Sequence, residues 1–72
     1  LNIFRLPVNA SLVGKSLAES QIRKQTGCSV VAISEENKLN INPEPSIVLE
    51  THFELVLIGT SDSEKVFMDL YK

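Results

Sequence analysis

Apolar positions recur with two different periods along the chain, and the places where the period changes mark out its elements. Residues 1–8, LNIFRLPV, set Ile3, Leu6 and Val8 among β-compatible neighbours and predict a strand of about six residues. Pro7 lacks an N–H, so this strand either stops hydrogen bonding there or lies at a sheet edge. After the turn NASLVG, the spacing predicts a helix over residues 16–26. Ser16 and Glu19 form S-x-x-E, in which the hydroxyl accepts one orphan N–H and the carboxylate reaches back to another. Gly27 follows where a left-handed terminator is expected, and Arg23 and Lys24 stand near the negative end of the helix dipole. The apolar stripe is thin: Leu17, Ala18 and Ile22.

CSVVAIS, residues 28–34, is β-branched and apolar on both faces, which predicts a central strand. EENK turns the chain into LNIN, residues 39–42, a short alternating strand with Leu39 and Ile41 expected inward, so the two form a hairpin. PEPS is a stiff extended loop, and IVLE a brief strand or turn. FELVLIG, residues 53–59, is the second clear β run, broken by Gly59. Ser61 and Glu64 repeat S-x-x-E and open a helix running to about residue 71. Its predicted face is Val66, Phe67, Leu70 and Tyr71. The order strand, helix, strand, strand, strand, helix predicts a small α+β fold with a mostly antiparallel sheet. That architecture suits a binding module better than an enzyme, although fold alone does not fix function.

Size and charge narrow the function. Seventy-two residues make one small domain over 1–72, near the lower limit for a self-supporting core. Opening at Leu1 rather than methionine, the chain is expected to be a piece of a longer protein. Its core is small enough that Val48, Leu49, Leu55 and Leu57 are expected to share apolar surface with a partner. Seven basic and nine acidic residues are interspersed, for a net charge of −2. This gives no electrostatic reason to bind nucleic acid or an anionic membrane. No apolar run reaches the roughly 18–20 residues that span a bilayer, so no direct membrane insertion is expected. Cys28, the single cysteine, excludes an internal disulfide and reads as a small core residue in a reducing, cytoplasmic setting.

One motif invites a different reading. Gly14-Lys15-Ser16 matches the end of a phosphate-binding loop, G-x-x-x-x-G-K-[ST], but the position five before Gly14 is Asn9. The missing first glycine is what lets such a loop fold around phosphates. The simpler assignment makes Gly14 a turn, Lys15 a solvated charge and Ser16 a cap. Other chemistry is no better supported. His52 is the sole histidine and has no metal-ligand partner at useful spacing, so no metal site is expected. Cys28 opens a strand that looks buried, which argues against a Cys/His nucleophile pair. Glu35 with Glu36, and Glu50 with Glu54, sit in turns or on a solvated strand face rather than in an acid–base arrangement. The chain is therefore not expected to be an enzyme. Arg23 is the basic residue with potential for anion binding, beside the plainer readings of salt bridging or dipole compensation.

Read end to end, the chain resembles the TrkA C-terminal domain, the C-terminal lobe of RCK (regulator of potassium conductance) domains. The residues that carry the resemblance are VNASLVGKSLAESQIRKQTGCSVVAI, then a short turn, then NPEPSIVLETHFELVLIG. The ordered set covers essentially the whole chain. Three places depart from the family pattern. His52-Phe53 replaces a usual Gly-Asp, Glu35-Glu36-Asn37-Lys38 replaces a basic or Asp-Gly turn, and Ser20 stands where an apolar residue is common.

The resemblance implies a cytoplasmic regulatory domain of a potassium channel or transporter, or of a related ion or solute transporter. It further implies an upstream nucleotide-binding lobe and pairing into homodimers. In some bacterial members the dimer cleft binds cyclic di-AMP through an Ile/Leu-Arg pair late in the first helix and an Asn six residues beyond the Arg. Ile22 and Arg23 match that pair, and Ser29 stands in the Asn position. The implied ligand-binding residues are therefore Ile22, Arg23 and Ser29. Cyclic di-AMP is the implied regulatory ligand, with no cofactor in this domain. The alternative is a purely structural oligomerisation domain that takes no small molecule.

Overall fold

The computed structural model describes residues 1–71. Strand β1 (Asn2–Pro7) leads through a 3-10 turn (Ala10–Leu12) into two short helices, α1 (Leu17–Ser20) and α2 (Ile22–Thr26). Strands β2 (Ser29–Glu35), β3 (Lys38–Ile41) and β4 (Glu54–Gly59) follow, and α3 (Ser61–Leu70) closes the order. The four strands form one antiparallel sheet in the order β1-β4-β2-β3. The expected α+β class and antiparallel sheet hold. Pro7 does lie in an edge strand, paired with Glu54. An irregularity between Val30 and Ala32 leaves Val31 as the extra residue of a bulge.

Register decides which side chains form the core. Phe4 lies opposite Leu57 and Leu6 opposite Leu55, while Val30 and Ile33 continue these rows on β2. This face packs on Ile22, Phe67, Leu12, Leu49 and Phe53. Phe67 meets Phe4 edge-on with ring centroids 6.0 Å apart, which ties α3 to β1. Leu49, Leu55 and Leu57 are wholly enclosed. The expectation that they share surface with a partner therefore fails for these three and survives for Val48, which is 48% exposed.

The inward placement of Leu39 and Ile41 is also corrected. Leu39 pairs with Ser34 and Ile41 with Ala32, and Ala32 in turn pairs with Val56, itself opposite Arg5. Both residues thus share the face of Ile3 and the Arg5–Glu54 ion pair, away from the helices, and are 53% and 66% exposed. Period-2 alternation says which residues share a face, not which face meets the core. In α3 only Phe67 is buried, with Tyr71 packed beside it; Val66 and Leu70 stand at 40% and 51% exposure.

Two helix boundaries differ from expectation. The helix over 16–26 is interrupted at Gln21, which takes a left-handed conformation (φ 51°, ψ 33°) and separates α1 from α2. The cap of α3 is Thr60, one residue earlier than Ser61: its hydroxyl accepts the Ser63 N–H at 3.1 Å. Strand pairing runs out to Gly59, so Thr60 is the extended residue at which the helix starts. Ser61 and Glu64 are used differently. Asn2, opposite Gly59 in the sheet, donates its Nδ2 to Glu64 Oε1 at 3.0 Å and to Ser61 Oγ at 3.2 Å.

Candidate ligand-binding groove

The 16–27 stretch and the loop after β3 are built against one another. α1 begins at a complete capping box: Glu19 N–H donates to Ser16 Oγ at 3.1 Å, and Ser16 N–H donates to Glu19 Oε1 at 2.9 Å. Hydrogen bonding from the Ser16 backbone N–H, and after it from the Ser16 hydroxyl, holds the Glu19 carboxyl below its ordinary range. Leu17 N–H then donates to Ile47 O at 2.8 Å and Ala18 N–H to Pro45 O at 2.9 Å. Pro45 is thereby pinned beside α1. At the other end, Gly27 N–H donates to Arg23 O at 2.8 Å, and Cys28 N–H donates to Thr26 Oγ1 at 3.0 Å, which feeds α2 directly into β2.

Between these elements lies an open groove of about 700 Å3. Leu17, Ala18, Ile22, Val30 and Pro45 supply apolar walls; Gln21, Arg23, Lys24 and Ser29 supply the polar ones. Ile22, Arg23 and Ser29, the three residues implied by the family resemblance, all line this groove. Ile22 is 2% exposed and serves as packed wall. Arg23 is exposed and has no carboxylate partner among the described residues, so the salt-bridge reading of this side chain drops out. A guanidinium carries five fixed N–H donors and no acceptor, and the groove sets it next to the Ser29 position and apolar surface.

Sequence reasoning missed Gln21, Lys24 and Pro45. The left-handed break at Gln21 has no glycine or proline to announce it. Pro45 reaches α1 only through hydrogen bonds between residues far apart in the chain.

The Gly-Lys-Ser motif is not part of this groove. Gly14 turns the chain at φ 90°. Its N–H donates to Leu49 O at 2.9 Å, and that of Lys15 to Leu12 O at 3.2 Å. With the amides of Ser16 to Glu19 spent as described, every N–H from Gly14 to Glu19 already has an acceptor. A phosphate loop needs those donors free. The remaining candidate groups are equally committed. His52 Nε2 lies 2.7 Å from Glu35 Oε2, so two of the departures from the family pattern bind one another. Cys28 is enclosed and presents no thiol to solvent. Ser20, the third departure, is buried at an otherwise apolar position because its hydroxyl donates to Leu17 O at 2.6 Å. No helix among the described residues is long and apolar enough to cross a membrane.

Comparison with known proteins gives this geometry its context. The chain is 29% identical over 62 residues to the ammonium/H(+) antiporter subunit AmhM of Alkalihalophilus pseudofirmus, covering 86% of this chain and 37% of the relative. It is 31% identical over 72 residues to a probable potassium channel protein of Methanocaldococcus jannaschii, covering all of this chain and 21% of the relative. The chain thus spans between a fifth and two fifths of these two proteins. Among solved structures, the GsuK channel matches with a TM-score of 0.87 and 39% identity, over 96% of this chain and 13% of that one. The RCK C domain of the potassium transport protein KtrA, solved with cyclic di-AMP, matches with a TM-score of 0.83 and 29% identity, over 94% of this chain and 81% of that one. The RCK_C domain dimer of S. agalactiae BusR, also with cyclic di-AMP, gives 0.81 and 29%, over 99% and 95%. BusR has also been solved with its busAB-promotor DNA. A family model for the TrkA-C domain matches residues 1–72, and the chain belongs to that family.

Proposed function

We propose that the chain is a non-catalytic, cytoplasmic regulatory domain of a potassium or related ion channel or transporter. It pairs with a second copy of itself and senses a phosphate-bearing ligand, with cyclic di-AMP the first candidate. The observation that carries this reading is Arg23: an exposed guanidinium without an ion pair among the described residues, in an apolar groove with Ile22 and Ser29. Apolar walls suit the faces of purine rings, and guanidinium recognition suits a phosphodiester. The domain is the regulatory part of a longer protein that carries a nucleotide-binding lobe and the transport machinery.

Gating follows from symmetry and differential affinity. A two-fold pair repeats the groove on both protomers, and a ligand held by equivalent residues of each favours the arrangement that presents both correctly. It shifts the transporter only by as much as it prefers that arrangement over the other. Ile3, Leu39, Ile41 and Val48 leave apolar surface uncovered, as expected of a domain that associates. The acidic balance of the chain gives no electrostatic reason for this domain to bind nucleic acid.

Sedimentation and calorimetry test the reading together. A dimer at micromolar concentration that releases or takes up heat with cyclic di-AMP supports it. A folded dimer silent towards cyclic di-AMP, mononucleotides and divalent cations would establish the structural oligomerisation domain instead. A monomer at those concentrations contradicts both.

A further inference from the structure

Four consecutive residues, Gln21, Ile22, Arg23 and Lys24, line the groove. On a straight α-helix each residue turns about 100° from the last, so four in a row point around most of the circumference. These four do not lie on one straight helix: Gln21, left-handed at φ 51°, ends α1, and α2 restarts at Ile22. Burial of Ile22 against the core then leaves Arg23 and Lys24 exposed on the groove.

The distribution of charge is as informative as the geometry. The chain carries nine acidic residues and a net charge of −2, yet the nine residues lining the groove include two cations and no carboxylate. Lys24, like Arg23, has no ion pair among the described residues, whereas Arg5 on the sheet face is bound to Glu54 at 3.0 Å. Lys15, Lys38 and Lys65 do not line the groove. The groove thus holds two adjacent cations, unpaired among the described residues, and no acid in its lining.

The geometry points to Lys24 as a second anion-binding residue, acting with Arg23 on the same phosphate-bearing ligand. This rests on the reading that the groove binds such a ligand. The two cations do different work. Arg23 offers a planar fork of donors that fixes the orientation of a phosphate, while Lys24 offers a mobile point charge that follows it. Lys24 therefore contributes affinity that is screened by salt more than it contributes geometry.

Calorimetric titration with cyclic di-AMP of the wild-type chain, Lys24→Met, Lys24→Gln and the control Lys65→Met tests this. Titrations are run at about 50 mM and about 300 mM salt, where screening differs strongly. Both Lys24 variants are expected to bind about 5- to 10-fold more weakly at low salt, with the gap narrowing at high salt and Lys65→Met unchanged. Wild-type binding with Lys24 variants within twofold of it would overturn the role of Lys24 and leave the ligand reading standing. A silent wild-type chain would overturn both. An equal loss in Lys65→Met would reduce the effect to overall charge and overturn the assignment.

Discussion

Gly27 and Ser63 approach so closely that a Cβ added to Gly27 would lie 2.7 Å from Ser63 Oγ. Gly27 ends α2 at φ 83°, and Ser63 stands in the first turn of α3, so the end of one helix meets the start of the other. A hydroxyl can swing aside, but a left-handed φ penalises any side chain. Gly27→Ala should therefore cost about 1–2 kcal/mol in denaturant unfolding. Most of that loss should persist in Gly27→Ala/Ser63→Ala, where the clash is gone and only the backbone conformation remains. Full recovery in the double variant would show that crowding, not conformation, sets the cost.

Gln21 presents the reverse case, a left-handed residue that is not glycine. Gln21→Gly should raise stability by about 0.5–1 kcal/mol, because relief of the strained φ outweighs the added freedom of the unfolded chain. Thermal unfolding of the variant gives the sign directly.

The capping box of α1 separates the members of the Gly-Lys-Ser motif. Ser16→Ala should lose about 0.5–2 kcal/mol, as loss of an N-cap does. Lys15→Ala, at an exposed charge, should leave both unfolding and ligand binding nearly unchanged. Glu19, the other half of the box, has a depressed carboxyl. Its contribution is present above its unfolded value, near the ordinary 4.5, and is lost as pH falls through the lower folded value. Glu19→Gln should flatten that acid limb of the stability–pH profile.

How much of this was legible beforehand differs from element to element. The strands, their mostly antiparallel sense and the cap at Ser16 could be read because each shows in neighbours in sequence: a β-branched run, a turn, an S-x-x-E. The cap of α3 was misplaced because Ser61 and Glu64 have the right spacing, but sheet pairing of Asn2 claims both side chains. Leu39 and Ile41 were turned the wrong way because alternation has no sense of inside until the register with Ala32 and Val56 is known. The groove was half legible. Arg23 and Ser29 followed from resemblance, whereas Lys24 read only as a charge near the helix end, and its place on the groove lining shows only in the fold.

His52 and Glu35 provide a pH-dependent contact that links the turn before β4 to the β2–β3 hairpin. The hydrogen bond that the imidazole donates to the Glu35 carboxylate is the main cause raising it above its ordinary 6.5; the charges of Glu35, Glu50 and Glu36 add to it, and partial desolvation opposes. Because the folded value is raised, the stabilisation is complete below the unfolded value and disappears as pH climbs through the folded one. In an NMR titration, Glu35→Gln should move the His52 midpoint down towards 6.5. An unmoved midpoint would show that the pair does not form in solution.

Retention of a phosphate-bearing ligand in the groove is expected to depend on Arg23. Calorimetry of cyclic di-AMP binding to the wild-type chain and to Arg23→Ala, with unfolding curves confirming that both are folded, tests this most directly. Binding by the wild type at one ligand per two chains is expected, weakened about 10- to 100-fold in the variant, the range of a charge-assisted contact. Equal affinity in the two proteins, or no binding by the folded wild-type chain, would overturn that dependence.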